Sequence, residues 1–151
     1  MIGTHLAAAV FFILILLNNV ENKILFVIVA LIAAVIPDLD SVSSKVGSPR
    51  LFRIFQIFVK HRGMIHSFTF LFIFTLILVL FFPIIALPFF LGFSIHLFLD
   101  SLTVEGIRPL FPSKQTLSWK LKTGGRLEKI IFTFILLADL FVLVFKVTNV
   151  I

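Results

Sequence analysis

The sequence predicts an all-α integral membrane protein. The expected architecture is a bundle of about five transmembrane helices, with one amphipathic helix lying in the cytoplasmic interface. Three observations carry this. First, 60% of the 151 residues are apolar and only 13% are charged, with a mean hydropathy of +1.21. An ordinary soluble domain carries roughly 25% charge, and a 17.1 kDa chain has too much surface to bury so much apolar area from water. Second, the apolar residues fall into five runs without two-residue alternation, which argues against a β-barrel. Third, the basic residues cluster in two of the segments between those runs. The composition also excludes disorder. With no Cys, it excludes disulfides, thiolate metal sites and a cysteine nucleophile.

The five runs are Leu6–Leu17, Ile24–Ile36, Phe68–Phe82, Ile84–Leu99 and Ile130–Val147. A spanning helix needs roughly 20 residues, with a range of about 17–25. The fifth run meets this, the third and fourth fall slightly short, and the first two are shorter still. Tilted or re-entrant segments are the alternatives for those two. Spans are preferred, because backbone facing lipid must satisfy its own hydrogen bonds. Residues 1–22 hold no Lys or Arg, so a cleaved signal peptide is not expected. Between the second and third runs, Arg50–Lys60 places Leu51, Ile54, Phe55 and Phe58 at helical spacing, the pattern of an interfacial amphipathic helix. Between the fourth and fifth runs, Pro109, Pro112, Gly124 and Gly125 predict an ordered loop with turns. There is no internal repeat, and residues 1–151 are read as a single membrane-embedded helical domain.

Charge sets the expected topology. Lys45, Arg50, Arg53, Lys60 and Arg62 lie between runs two and three, and Arg108, Lys114, Lys120, Lys122, Arg126 and Lys129 lie between runs four and five. If five helices alternate, both segments share one side with the N-terminus, and that side is cytoplasmic by the positive-inside rule. The expected arrangement is N-terminus in and C-terminus out, in the inner or plasma membrane. The net charge of +6 then serves topology and anionic head groups rather than nucleic acid, so membrane lipids are the expected partners.

The scarce polar residues gather at one depth. In this topology His5 begins the first helix, Asp38 and Asp40 end the second, His61 and His66 precede or open the third, His96 and Asp100 end the fourth, and Glu128 opens the fifth. His96 and Asp100, four apart, share a helical face. Asp38 and Asp40 follow Pro37, and in an extended segment they point the same way. His61 and His66 are five apart with Gly63 between them, which suggests a bend, with His61 in the loop and His66 in the first helical turn. Imidazole and carboxylate together suit Zn²⁺, with Mn²⁺ or Fe²⁺ as alternatives. The set His5, Asp38, Asp40, His61, His66, His96 and Asp100 exceeds the three protein ligands usual at a catalytic zinc, so one or two ions are expected. Taken singly, each motif has a plain structural explanation as an interfacial anchor or helix cap. Their convergence favours function, because ionisable groups in membranes are costly. Arg62 and Arg126 lie nearest the candidate ligands and suit an anionic substrate. Asp139, in mid-span, is read as structural, protonated or paired with a polar group such as Asn18 or Asn19, with a place on an ion or proton path as the alternative.

The ordered set Thr4-His5, Pro37–Ser41 (PDLDS), His61–Ser67 (HRGMIHS), His96–Thr103 (HLFLDSLT) with Gly106, Pro109 and Pro112, and Thr123–Glu128 (TGGRLE) resembles one family. It is similar to the predicted membrane-bound metal-dependent hydrolases that include the LexA-regulated inner-membrane YdjM-like proteins of bacteria and archaeal relatives. The resemblance runs from residue 3 to about residue 130. It implies a metal site on the residues just named, with Glu128 a further member, and hydrolytic activity.

The expected function is therefore a membrane-bound hydrolase with a divalent metal at the cytoplasmic interface, cleaving an ester or phosphoester of a lipid or other anionic substrate. Asp40 or Asp100 would act as general base or orient water, Glu128 would contribute to the same catalytic set, and Arg62 and Arg126 would bind the anion. Two other functions compete. A metal transporter would place its site near the bilayer midplane, and a non-catalytic structural or lipid-binding protein would use metal only to tie helices together.

Overall fold

The computed structural model describes residues 1–40 and 64–148, with side chains at 1–38 and 64–148. The expected amphipathic helix at Arg50–Lys60, together with His61 and Arg62, lies outside the described residues. Within them the protein is all-helical. The elements are α1 (Ile2–Leu16), α2 (Lys23–Ala33), α3 (Phe68–Phe81), α4 (Pro83–Ser101) and α5 (Arg126–Thr148), with 3₁₀ turns at Leu17–Asn19 and Ile36–Asp40. Extended pairing among the described residues is limited to the bridges Thr103–Leu121 and Ile107–Leu117 in the α4–α5 loop.

Among the described residues, three helical segments are long and apolar enough to cross a bilayer: Ile2–Asn19, Pro83–Ser101 and Arg126–Thr148. The first is longer than its apolar run, because Thr4 and His5 are taken into the buried face of α1 and the 3₁₀ turn extends its far end. At 11 and 14 residues, α2 and α3 are shorter than the roughly 17–25 of a full span.

Small residues set the helix packing. Gly92 of α4 lies so close to α2 that a Cβ there would stand 2.0 Å from the Ala30 carbonyl oxygen. Ala30, Ala33 and Ala34 are fully buried, so the two backbones touch, as small residues allow in membrane bundles. Ala30 faces Gly92 and Ala34 faces His96, so α2 and α4 run parallel. The α3–α4 pair is antiparallel and is stitched by rings: Phe70 on Phe93 at 5.6 Å and Phe74 on Phe89 at 4.9 Å. Along α1, α5 runs parallel, with Thr4 bonded to Glu128 and Ile135 against the cluster of Ala8, Ile95 and Leu99. The consequence is alternation: the starts of α1, α3 and α5 and the ends of α2 and α4 meet at one end of the bundle.

Polar residues fix that end. Ser67 caps α3 by accepting from the Phe70 amide at 3.1 Å, which satisfies a donor that the first turn leaves orphaned. The Phe68 amide donates to the Pro109 carbonyl, tying α3 to the loop after α4. Thr103 donates to the Asp100 carbonyl at 2.8 Å and accepts from the Gly106 amide, closing the end of α4. Gly106 has φ +63° and a Cβ there would meet the Leu117 carbonyl at 2.3 Å, so only glycine fits.

Candidate metal centre

His5 sits in the first turn of α1, His66 just before the Ser67 cap of α3, and His96 and Asp100 one turn apart at the end of α4. The structure brings all four together. The Asp100 carboxylate is 3.2 Å from His5 Nε2, 3.5 Å from His66 Nε2 and 3.5 Å from His96 Nε2. The His5 and His96 rings are 4.2 Å apart, and the His66 and His96 rings 5.5 Å. All four side chains are buried, none of them more than 6% exposed.

The backbone orients two of the rings. His5 Nδ1 lies 2.9 Å from the Met1 carbonyl and His96 Nδ1 lies 2.7 Å from the Ala34 carbonyl. A carbonyl oxygen only accepts, so each Nδ1 carries the proton and donates it. Each Nε2 is thereby turned inward, in the tautomer a metal ligand needs. The close approach at Gly92 is what carries the Ala34 carbonyl to His96.

The arrangement poses an electrostatic problem that a cation resolves. Buried His5 Nε2 and His96 Nε2 make no hydrogen bond, yet both face a carboxylate. Neutral imidazoles would set lone pairs against an anion. Protonating one ring pairs a single imidazolium with Asp100 and leaves the other Nε2 lone pair facing it, whereas protonating both buries two positive charges around one negative charge, at a large desolvation cost. A divalent cation held by His5, His96 and Asp100 would accept the lone pairs and offset the carboxylate charge. The spacing agrees: ligand atoms about 2.0–2.2 Å from a tetrahedral ion stand roughly 3.4 Å apart, close to the separations found.

Two overlapping sets of ligand atoms lie within 4.8 Å of one another: His5, His96 and Asp100, and Asp38, His66 and His96. Asp38 enters from the 3₁₀ turn after α2 and is half-buried. Five of the seven candidate ligands thus gather from α1, the α2 end, the α3 entry and α4. His61 is outside the described residues, and of Asp40 only the backbone is described, in that same turn.

Three expectations need correction. Asp38 and Asp40 are on a 3₁₀ turn, not an extended segment, because the Asp38 amide continues the helical bonding to Val35. Residues two apart there do not share a direction. His66 precedes the first helical turn, since Ser67 takes the cap. Asp139 Oδ1 is buried without a hydrogen-bond partner, so the expected pairing through that atom with Asn18 or Asn19 is not found, and both asparagines are exposed.

Glu128 is engaged in holding the bundle. Its carboxylate accepts from Thr4 Oγ1 at 2.9 Å and from the Gly124 amide, and stands 3.4 Å from the Met1 amino group. It anchors the turn of α1 that presents His5 and belongs to neither ligand set. Arg126 is exposed at the start of α5. Sequence reasoning missed Thr4, Ser67, Thr103 and Gly92 as positioning residues. The serine before an apolar run is a legible cap signal, and Thr103 acts through bonds three residues away on either side, whereas Thr4 and Gly92 act through contacts distant in sequence.

The sequence profile of the YdjM inner membrane protein family matches residues 1–149. A relative from Bacillus subtilis (strain 168), the uncharacterized protein YvsG, is 33% identical over 114 residues, which cover 72% of this chain and 71% of the relative. No solved structure matches.

Proposed function

The chain belongs to the YdjM inner membrane protein family, and from that membership and the centre's geometry we propose that it is a membrane-bound metal-dependent hydrolase. Its site is the His5, Asp38, His66, His96 and Asp100 cluster, with Asp40 and His61 as additional candidate ligands. The single observation that carries the proposal is the set of inward-turned imidazoles around Asp100, two of them with orphaned Nε2 atoms. The donor set of imidazole and carboxylate suits Zn²⁺ first, with Mn²⁺ or Fe²⁺ as alternatives, as one or two ions.

A divalent cation bound there supplies a water of lowered pKa and a Lewis acid for a phosphoryl or carbonyl oxygen. The chain's own residues do the rest. Asp38, half-buried where the other four are closed off, marks the side from which substrate and water enter. Asp40 or Asp100 takes the proton from the attacking water. Arg62 and Arg126 hold the anionic part of the substrate. The substrate class is an ester or phosphoester of a lipid or other anion. By the positive-inside rule, the exposed Lys120, Lys122, Arg126 and Lys129 beside the site favour a cytoplasmic face and an inner-membrane location.

One observation favours a second reading. Four of the five gathered ligands are buried, which suits a closed structural ion that staples α1, α3 and α4 together. Cobalt substitution separates the two. In the hydrolase, the visible spectrum of the Co²⁺ protein shifts on adding phosphate or azide, because a coordination position is open, and a mixed-lipid hydrolysis screen shows product lost in Asp38→Ala. An unresponsive spectrum with no product in any lipid would establish the staple instead.

A further inference from the structure

A cavity of about 620 Å³ lies between α1, the α3 entry, α4 and α5, walled by Ala8, Phe11, Phe12, Phe90, Ile95 and Phe98 among others. That is the size of a small-molecule site. Ser94 is the one polar side chain on its wall, and its hydroxyl is already bonded to the Leu91 carbonyl at 3.0 Å. The lining therefore offers nothing to a polar ligand and suits hydrocarbon alone.

Its placement is specific. One end is built from sequence neighbours of the metal centre: Ala8 follows His5 by three residues, Phe68 follows His66 by two, and Ile95 and Leu99 immediately precede His96 and Asp100. From Leu99 the wall continues along α4 to Phe90, about 13 Å of helix at 1.5 Å per residue. That is roughly half of the ~30 Å hydrocarbon core, the depth of one leaflet. Phe12 and Phe98, 44% and 60% exposed, stand at the side that faces lipid. Ile135 on the cavity wall follows Arg126, at the start of α5, by nine residues, about 13 Å along the helix at 1.5 Å per residue.

We propose that this cavity holds one acyl chain of a membrane phospholipid, entering laterally from the leaflet so that the ester or phosphoester of the same molecule lies at the His/Asp centre. This rests on the hydrolase proposal and narrows its substrate to a lipid. The chain supplies binding through buried methylenes, and the centre acts on the polar end. Chain length, not head-group charge alone, then selects the substrate.

The test is photolabelling of the full chain in bilayer nanodiscs, with phosphatidylglycerol carrying a diazirine near the end of one acyl chain. Metal content is measured on the same samples. The expected label concentrates on the half-buried Phe11 and Phe90 over the lipid-facing Phe98, Phe134 and Phe141. Ser94→Phe, which fills the cavity, lowers that labelling about tenfold by displacing several buried methylenes, while metal content is unchanged. Ser94→Leu gives a smaller loss and serves if the larger side chain prevents folding. Unlabelled sixteen-carbon lipid competes, and eight-carbon lipid does not. Labelling spread evenly over α4 and α5, and indifferent to Ser94→Phe, would overturn the inference. Cavity labelling in a wild-type protein that binds no metal would uphold the chain site while defeating the hydrolase.

Discussion

Two of the places where the described residues bury ionisable groups differ in kind. At one end, four segments deliver His5, Asp38, His66, His96 and Asp100 to a common point, with two rings aimed by backbone carbonyls. On α5, Asp139 and Lys146 lie seven residues apart on one helix, each with a buried polar atom that makes no hydrogen bond. The ends of α2 and α4 are held by backbone contact at Gly92 and by the Thr103 clasp. By contrast, α5 packs along α1 and is otherwise mostly exposed. The contrast shows that an apolar chain tolerates ionisable groups by two routes. It can build a complementary site from several elements, or it can leave a lone group on a weakly packed helix to bear its own desolvation cost.

Substitutions probe that contrast. The largest effect is expected at Asp100. Asp100→Ala leaves three imidazoles without their shared carboxylate, and removing one partner of a buried charged set costs about 3–5 kcal/mol. Thermal unfolding in detergent should show that loss, and chelator, expected to lower the midpoint of the wild-type protein, should leave that of the variant unmoved. Gly92→Leu comes next. It forces α2 from α4, costs about 1–3 kcal/mol by overpacking, and withdraws the Ala34 carbonyl from His96, so metal content falls although no ligand has changed. Full metal content in a folded Gly92→Leu protein would show that His96 needs no such aiming.

Thr4→Val removes one hydrogen bond to Glu128 at a cost of about 1 kcal/mol, with metal retained, because the Met1 amino group still ties the start of α1 to the carboxylate. The smallest effect, and of opposite sign, is expected on α5. Asp139→Leu should leave stability unchanged or raise it by about 1 kcal/mol, since an apolar side chain replaces an unpartnered carboxyl. Metal content should not move. Metal lost in Asp139→Leu would join the two regions and favour an ion path through the bilayer.

Much of this was legible in the sequence, for stated reasons. Membrane character follows from composition alone. His96 and Asp100 are on one face because an α-helix repeats every 3.6 residues. The gathering of imidazoles and carboxylates at one end follows from helix alternation, which converts motifs distant in sequence into neighbours. What stayed hidden depends on contacts that no local pattern records. Gly92 against Ala30 is a meeting of two backbones, and a glycine in an apolar helix has several other meanings. Glu128 reads as a further member of the site, because the sequence gives no sign that the hydroxyl of Thr4, 124 residues away, engages its carboxylate. The 3₁₀ turn at Ile36–Asp40 was misread because Pro37 suits the start of an extended segment as well as a helical turn.

The most direct test counts metal ions on the purified chain by elemental analysis, beside His96→Ala and Asp100→Ala prepared alike. At least one divalent ion per wild-type chain, absent from both variants while they remain helical and inserted, is the expected result. Folded wild-type protein that takes up no ion when Zn²⁺, Mn²⁺ or Fe²⁺ is supplied, and whose melting is indifferent to chelator, would contradict it.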